Sequence, residues 1–162
     1  MRRAHIVIGL LFVALALPLG AFAGAQVPFK GSDVGRWGQG SHDCGTLFPV
    51  AIDEGVGNAT HVGRYAYAAR ECVDFGQYPF PYAGTFTITA ANGDTIVGSY
   101  AGTATIADDG VTILYEQTAA VAGGTGRFAD ATGAVNVSGI ARSDGSYFQE
   151  LDGAVSSVGA SK

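Results

Sequence analysis

The feature that most constrains the fold is a hairpin signature near the middle of the chain. Phe86, Ile88 and Ala90 alternate with threonines, and an alternation with a period of two is typical of a strand with one buried face. The pair Asn92-Gly93 follows at once and favours a type I′ turn, because both central residues of that turn need positive φ. The sequence therefore predicts an antiparallel hairpin, with the return strand over residues 95–105.

Similar units recur along the chain, and no window after the N-terminus carries a helical apolar stripe. Turn sequences at residues 108–110 (Asp-Asp-Gly) and 143–145 (Ser-Asp-Gly) separate further stretches that read as strands. These strands are predicted over residues 61–72, 112–122, 132–142 and 146–155. Because a twisted antiparallel meander of this length removes its exposed edges by closing, the predicted fold is all-β, an eight-stranded antiparallel barrel. A two-sheet sandwich is the alternative.

The first 23 residues have the three parts of a secretory signal peptide. Arg2 and Arg3 precede an apolar run over residues 6–19, and small residues follow at 21–25. We therefore expect residues 1–23 to be removed and the protein to be secreted or periplasmic. We expect no membrane span after cleavage, since no second long apolar stretch follows; an uncleaved N-terminal anchor is the alternative.

The remaining chain is predicted to divide into two parts. Residues 24–56 are Gly-rich and irregular, although residues 26–30 are compatible with a short first strand. Residues 57–158 are predicted to form the barrel body. Prolines at 79 and 81 exclude a central strand over residues 73–82.

Charge and cysteine content narrow the functional classes. The net charge of −5 argues against a nucleic-acid partner, because phosphate binding needs a basic surface. Cys44 and Cys72 are predicted to form a disulfide, as is usual in exported proteins, which would stabilise the fold by about 3 to 4 kcal/mol. No spacing typical of a metal site or a nucleotide cofactor is present, so neither is expected.

Candidate site residues follow from which strand side chains would point into a barrel lumen. If Glu116 points inward, burial would raise its pKa and allow it to act as a general acid, with Tyr115 beside it. The other candidates would line a ligand cavity: Tyr65, Tyr67, Tyr100 and Phe86. The alternative is that the carboxylates face water and the tyrosines pack in the barrel wall.

A glycine-rich segment over residues 123–133, with the sequence GGTGRFADATG, is the most recognisable part of the chain. Its glycines permit positive φ and close backbone approach, and its phenylalanine can plug a barrel end. The predicted structural turn consists of Gly123, Gly124, Gly126, Phe128 and Gly133.

This segment resembles the Gly-Gly-Thr-Gly-x-Phe-x-x-Ala-x-Gly turn of the dirigent and allene oxide cyclase barrel superfamily. Residues 85–100 and 58–64 are also similar to small exported bacterial members of that group. The resemblance implies an eight-stranded barrel with an apolar cavity. In the plant members, that cavity guides cyclisation of an allene oxide or coupling of phenoxy radicals, but their catalytic acids have no aligned counterpart in this chain.

Three functions are compatible with these observations. The first is binding of a small hydrophobic ligand by an exported barrel. The second is a cyclase or isomerase that steers a reactive hydrophobic intermediate, so enzymatic activity is left open. The third is a structural or interaction module with a closed, filled barrel, and a homo-oligomer is left open with it.

Overall fold

The computed structural model describes residues 25–156 of the chain. The predicted signal peptide, residues 1–23, and residues 157–158 of the predicted barrel body lie outside the described residues.

Eight antiparallel strands and one short 3-10 turn make up the described chain. The strands are β1 (Gln26–Gln39), β2 (Phe48–Ala59), β3 (Gly63–Val73), β4 (Phe80–Ala90), β5 (Thr95–Ile106), β6 (Ile113–Gly124), β7 (Gly133–Ala141) and β8 (Ser146–Ser156). The 3-10 turn, Gly126–Phe128, lies between β6 and β7. The sheet is a closed barrel in chain order, so the prediction of an eight-stranded antiparallel barrel is confirmed.

The barrel closes where its first strand pairs with its last. β1 is antiparallel to β8 over eleven residue pairs, from Gln26 opposite Ser156 to Arg36 opposite Ser146. Every strand therefore has a partner on both sides, which removes the open edges at which sheets aggregate. Register shifts interrupt the β1–β2, β2–β3 and β5–β6 pairings, with the extra residues in β2 and β6; such irregularities increase the local bend and twist of a strand.

The N-terminal part of the chain differs from the sequence-based expectation. Residues 24–56 were expected to be mainly irregular. Instead, β1 and most of β2 occupy this range, and both are strands of the barrel. β1 contains Gly31, Gly35 and Gly38, which hide the alternation of side chains that usually identifies a strand. Pairing with β2 and β8 makes this segment a strand, and neither partner is local to it.

The barrel has two unlike ends. At one end, which we call the closed end, Phe128 and Ala131 are buried beneath the turn that connects β6 to β7. The Arg127 guanidinium lies 4.7 Å from the Phe128 ring centre and 3.8 Å from Asp94. Gly126 has φ of 56°, a left-handed conformation that favours glycine, and a Cβ there would displace the Asp94 carboxylate.

The opposite end, which we call the mouth, is bordered by the β1–β2, β3–β4, β5–β6 and β7–β8 connections. A disulfide between Cys44 and Cys72, 28 residues apart in the chain, ties the β1–β2 connection to the end of β3. The predicted disulfide is therefore confirmed, and it lies at the mouth.

Candidate functional site

A cavity of about 110 Å³ opens at the mouth, and we call it the mouth cavity. All eight strands contribute to its wall, because successive inward residues of each strand stack along the lumen. Most of its lining is aromatic or aliphatic, with a few polar groups among them, as is usual for small-molecule sites. The polar groups come from Glu71, Tyr67, Tyr82, Tyr100, Tyr115, Gln117, Tyr147 and Gln149.

Four aromatic rings form a chain along one side of the opening. Phe75 lies 5.6 Å from Phe48 and 5.2 Å from Phe80, and Tyr78 lies 5.2 Å from Phe80, measured between ring centres. Phe75 and Tyr78 remain 57% and 64% exposed. Exposed aromatic side chains grouped at an opening present an apolar surface to an entering molecule.

Inside the opening, Glu71 accepts a hydrogen bond of 2.7 Å from the Tyr100 hydroxyl. Burial raises the pKa of the Glu71 carboxyl, and the hydrogen bond from Tyr100 and the nearby His42 oppose this only in part. Burial, and then the charge of Glu71, also raises the pKa of Tyr100. Glu71 is therefore a partly buried carboxyl with a raised pKa that accepts a hydrogen bond from a neutral phenol.

Two further hydroxyls belong to residues that line the mouth cavity, those of Tyr82 and Tyr147, which are 7% and 3% exposed. Neither hydroxyl makes a well-formed hydrogen bond with any residue between 25 and 156, but that of Tyr147 lies close to the Asp33 carboxylate, so Tyr82 is the clearer case. Burial raises the pKa of both phenols, so both keep their protons and remain donors. A buried donor without an acceptor costs about 1 to 3 kcal/mol, which a bound acceptor would recover.

Deeper in the barrel, Asp33 is the centre of a buried polar network. Its Oδ2 atom accepts hydrogen bonds from the Tyr65 hydroxyl at 2.9 Å and from Gln149 Nε2 at 3.0 Å. Gln149 Oε1 in turn accepts a bond of 3.2 Å from the Tyr115 hydroxyl. Burial raises the pKa of Asp33, and the hydrogen bonds lower it less. Its Oδ1 atom has no partner among the described residues.

Two glycines of β2 make this network sterically possible. A Cβ on Gly55 would lie 2.4 Å from the Tyr147 hydroxyl, and a Cβ on Gly57 would lie 2.5 Å from both Asp33 and the Tyr65 ring. The glycines that obscure β2 in the sequence thus leave the space that the tyrosine rings fill.

A second, smaller space of about 20 Å³ lies in the same lumen, and we call it the inner chamber. Its lining residues are all buried, and apart from three residues shared with the mouth cavity they are apolar. The three shared residues, which we call the partition, are Tyr67, Gln117 and Gln149.

The structure separates the residues predicted for the site. Tyr67, Tyr100 and Tyr115 line the mouth cavity, and Phe86 lines the inner chamber. Tyr65 lines neither space, because its hydroxyl binds Asp33.

The inward orientation considered for Glu116 is wrong. Glu116 is exposed on the outer face of β6, where it borders a shallow groove between β5 and β8. Its neighbours Tyr115 and Gln117 occupy the lumen, and side chains alternate along a strand, so Glu116 must face outward. Leu114 lies on the same face of β6 and is 44% exposed, so its apolar side chain does not indicate that this face is buried.

The carboxyl that does enter the mouth cavity is Glu71. Its place could have been inferred from the sequence, since Tyr65, Tyr67 and Glu71 are separated by even numbers of residues within one strand. Asp33 carries no comparable signal, because glycines surround it in β1.

The cluster formed by His42, Cys44 and Cys72 has the composition of a metal site, with ligand atoms within 4.8 Å of one another. Both sulfurs are bonded to each other, however, and His42 Nε2 lies 2.9 Å from the backbone carbonyl oxygen of Glu71. In this state the cluster is a structural connection between the β1–β2 loop and β3.

Comparisons with protein-family models, curated proteins and solved structures found no match to this chain. Within residues 25–156, no helix has the length and apolar character needed to cross a lipid bilayer. The structural findings therefore establish a closed eight-stranded barrel with a disulfide, a cavity at its mouth and buried ionisable groups in its lumen.

Proposed function

We propose that this protein is an exported barrel that binds a small, mainly apolar molecule carrying an oxygen acceptor. The observation that carries this proposal is the buried, unpartnered hydroxyl of Tyr82, together with the Tyr147 hydroxyl, which makes no well-formed hydrogen bond, in a cavity with mostly aromatic and aliphatic walls. A ketone, ester or ether oxygen would accept from them, while its hydrocarbon part would contact the walls.

The surroundings of the cavity support the same proposal. The exposed rings of Phe75 and Tyr78 give an apolar ligand a surface to contact before it enters. The disulfide between Cys44 and Cys72 is typical of an oxidising compartment, which agrees with the signal peptide predicted over residues 1–23. Membership of the dirigent and allene oxide cyclase superfamily remains part of the proposal.

The test uses two ligands of nearly equal size, 1-indanone and indane, which differ chiefly by one carbonyl oxygen. Titration monitored by NMR should show that 1-indanone binds about tenfold more tightly, the difference expected for hydrogen bonds to unpartnered buried donors. The double variant Tyr82→Phe/Tyr147→Phe should bind both ligands equally. The matched control is Tyr78→Phe, because Tyr78 lies at the exposed rim and its hydroxyl should not matter.

Equal affinity of the native protein for both ligands would contradict the role of the hydroxyls. If neither ligand perturbs the resonances of Val50 or Ile52, which line the mouth cavity, ligand binding itself would be refuted. The third function, a structural or interaction module, would then be favoured.

A second candidate function, a cyclase or isomerase, rests on the Glu71–Tyr100 pair. A carboxyl with a raised pKa can donate a proton to an epoxide oxygen as the C–O bond breaks. A hydride shift to the resulting cationic carbon and return of the proton to the Glu71 carboxylate then give a carbonyl isomer of the substrate. The test is the consumption of styrene oxide by the native protein and by Glu71→Gln. Loss of turnover in the variant, with 1-indanone binding retained, would support catalysis; no turnover above the buffer rate in the native protein would exclude it for this substrate.

A further inference from the structure

The two spaces in the lumen are separated by only one layer of side chains. Tyr67, Gln117 and Gln149 border both the mouth cavity and the inner chamber. These residues come from β3, β6 and β8 and are 5%, 8% and 2% exposed. These three side chains therefore form the boundary between the two spaces.

The two glutamines of the partition are held very differently. Gln149 is fixed at both ends of its amide, since Nε2 donates to Asp33 and Oε1 accepts from Tyr115. The Gln117 side chain forms no hydrogen bond with any part of the described chain, although the residue is buried. Rotation of Gln117 breaks no hydrogen bond, whereas rotation of Gln149 breaks two, so Gln117 is the movable member.

Beyond the partition, the inner chamber has no polar group to offer. Its other lining residues are hydrocarbon side chains: Phe29, Phe86, Ile88, Ile96, Ala119, Val121, Val135, Val137 and Leu151. A space of about 20 Å³ with such a lining has no hydrogen-bond partners for water, and its size suits a methyl group or a short alkyl end.

We propose that the inner chamber is a subsite for the alkyl end of the ligand and that Gln117 is its gate. This inference rests on the proposed binding function and specifies the ligand further: an oxygen acceptor in the mouth cavity and an unbranched alkyl end directed toward the closed end. The displaced Gln117 amide then lies in the mouth cavity, where its polar atoms can contact the ligand oxygen.

The test is a homologous series of aryl ketones from acetophenone to valerophenone, each one methylene longer than the last. Calorimetry should give about a fourfold gain in affinity for each methylene that enters the chamber, the gain expected for burying one CH₂ group. The side chains of Ile88, Ile96 and Val121 border the inner chamber but neither the mouth cavity nor the outer groove. Their methyl resonances should shift with the longer ketones but not with acetophenone.

Two variants test the subsite and its gate. Ala119→Val fills the chamber and should remove the gain for the longer ketones, leaving acetophenone affinity unchanged. The matched control is Ala120→Val, which makes the same change on the exposed outer face of the same strand and should behave like the native protein. Gln117→Ala removes the gate and should increase the gain per methylene.

The outcomes separate the two proposals. Binding of acetophenone without any gain along the series, or with an equal gain in Ala119→Val, would overturn the subsite while leaving the binding function intact. If acetophenone and its homologues all fail to perturb any lumen resonance, both proposals are refuted.

Discussion

The two halves of the barrel lumen are built from the same strands but differ in most of their side chains. Toward the closed end, the lumen is mainly hydrocarbon apart from the buried Asp33–Tyr65 pair and leaves about 20 Å³ free. Toward the mouth, it holds a cavity of about 110 Å³ together with a partly buried glutamate and several tyrosines. The hydroxyl of one of them, Tyr82, has no hydrogen-bond partner among the described residues.

This difference suggests that one end of the barrel contributes chiefly to stability and the other chiefly to binding. Buried hydrocarbon contributes roughly 25 cal/mol for each Å² of apolar surface removed from water, whereas buried unpaired polar groups lower stability. We infer that the closed half supplies most of the free energy of folding. The mouth half contributes less, because it contains polar groups that are free to bind a ligand.

The largest expected effect comes from the closed end. Phe128→Ala should lower the free energy of unfolding by about 3 to 5 kcal/mol, because it removes a fully packed ring and leaves a void beneath the β6–β7 turn. Urea denaturation measures the change. A loss below about 1 kcal/mol would show that the closed end is not the stable half.

The next effect tests the mouth half. Replacing both disulfide cysteines, Cys44→Ala and Cys72→Ala, should cost about 3 to 4 kcal/mol, the value expected for a closed loop of 28 residues. Hydrogen exchange should show that the added opening is confined to the β1–β2 connection and the end of β3. Equal loss of protection around Phe128 would contradict a division into two halves.

A matched pair of substitutions compares a paired with an unpaired hydroxyl. Tyr65→Phe should destabilise the barrel by about 1 to 3 kcal/mol, since it removes a hydrogen bond to the buried Asp33 carboxylate. Tyr82→Phe removes an unpartnered hydroxyl and should leave stability unchanged or raise it by up to about 1 kcal/mol. Thermal and urea unfolding of both variants give the comparison; the reverse order would show that Tyr82 has a partner in solution.

The smallest effect is a dependence of stability on pH. Burial raises the pKa of Asp33 and of Glu71 in the folded state, so the folded protein binds more protons than the unfolded chain above the unfolded pKa values of about 4. Stability should therefore fall as the pH rises from about 4 through the raised pKa values of the folded state.

Asp33→Asn should flatten this dependence and raise stability at neutral pH, because it removes a buried charge while keeping the shape of the side chain. Urea unfolding between about pH 4.5 and pH 8 measures the slope. An unchanged slope in Asp33→Asn would show that Asp33 is not one of the groups responsible.

Much of the fold could be predicted because its determinants are local. The alternation along Phe86, Ile88 and Ala90 and the following Asn-Gly turn are features of adjacent residues, and β4 and β5 form the predicted hairpin. β1 and β2 were missed because their identity depends on partners far away in the chain, with β1 completing the barrel against β8.

The candidate site was predicted less well, for a related reason. The tyrosines of β3, β5 and β6 were identified as lumen candidates, and three of them line the mouth cavity. Glu116 was considered because Leu114 shares its face, but an exposed leucine carries no information about which side is buried. Asp33, Tyr147 and Gln149 come from β1 and β8, whose closure brings them together.

The sequence by itself determined that the chain is all-β, that its strands follow one another through tight turns, and that two cysteines are available to pair. Those properties arise from backbone preferences and from the alternation of side chains over a few residues. Tertiary structure alone decided which acids are buried, where the lumen is open, and which hydroxyls lack partners. Barrel closure brings residues more than 100 positions apart, such as Asp33 and Gln149, within hydrogen-bond distance, and only that proximity sets their burial and their pKa values.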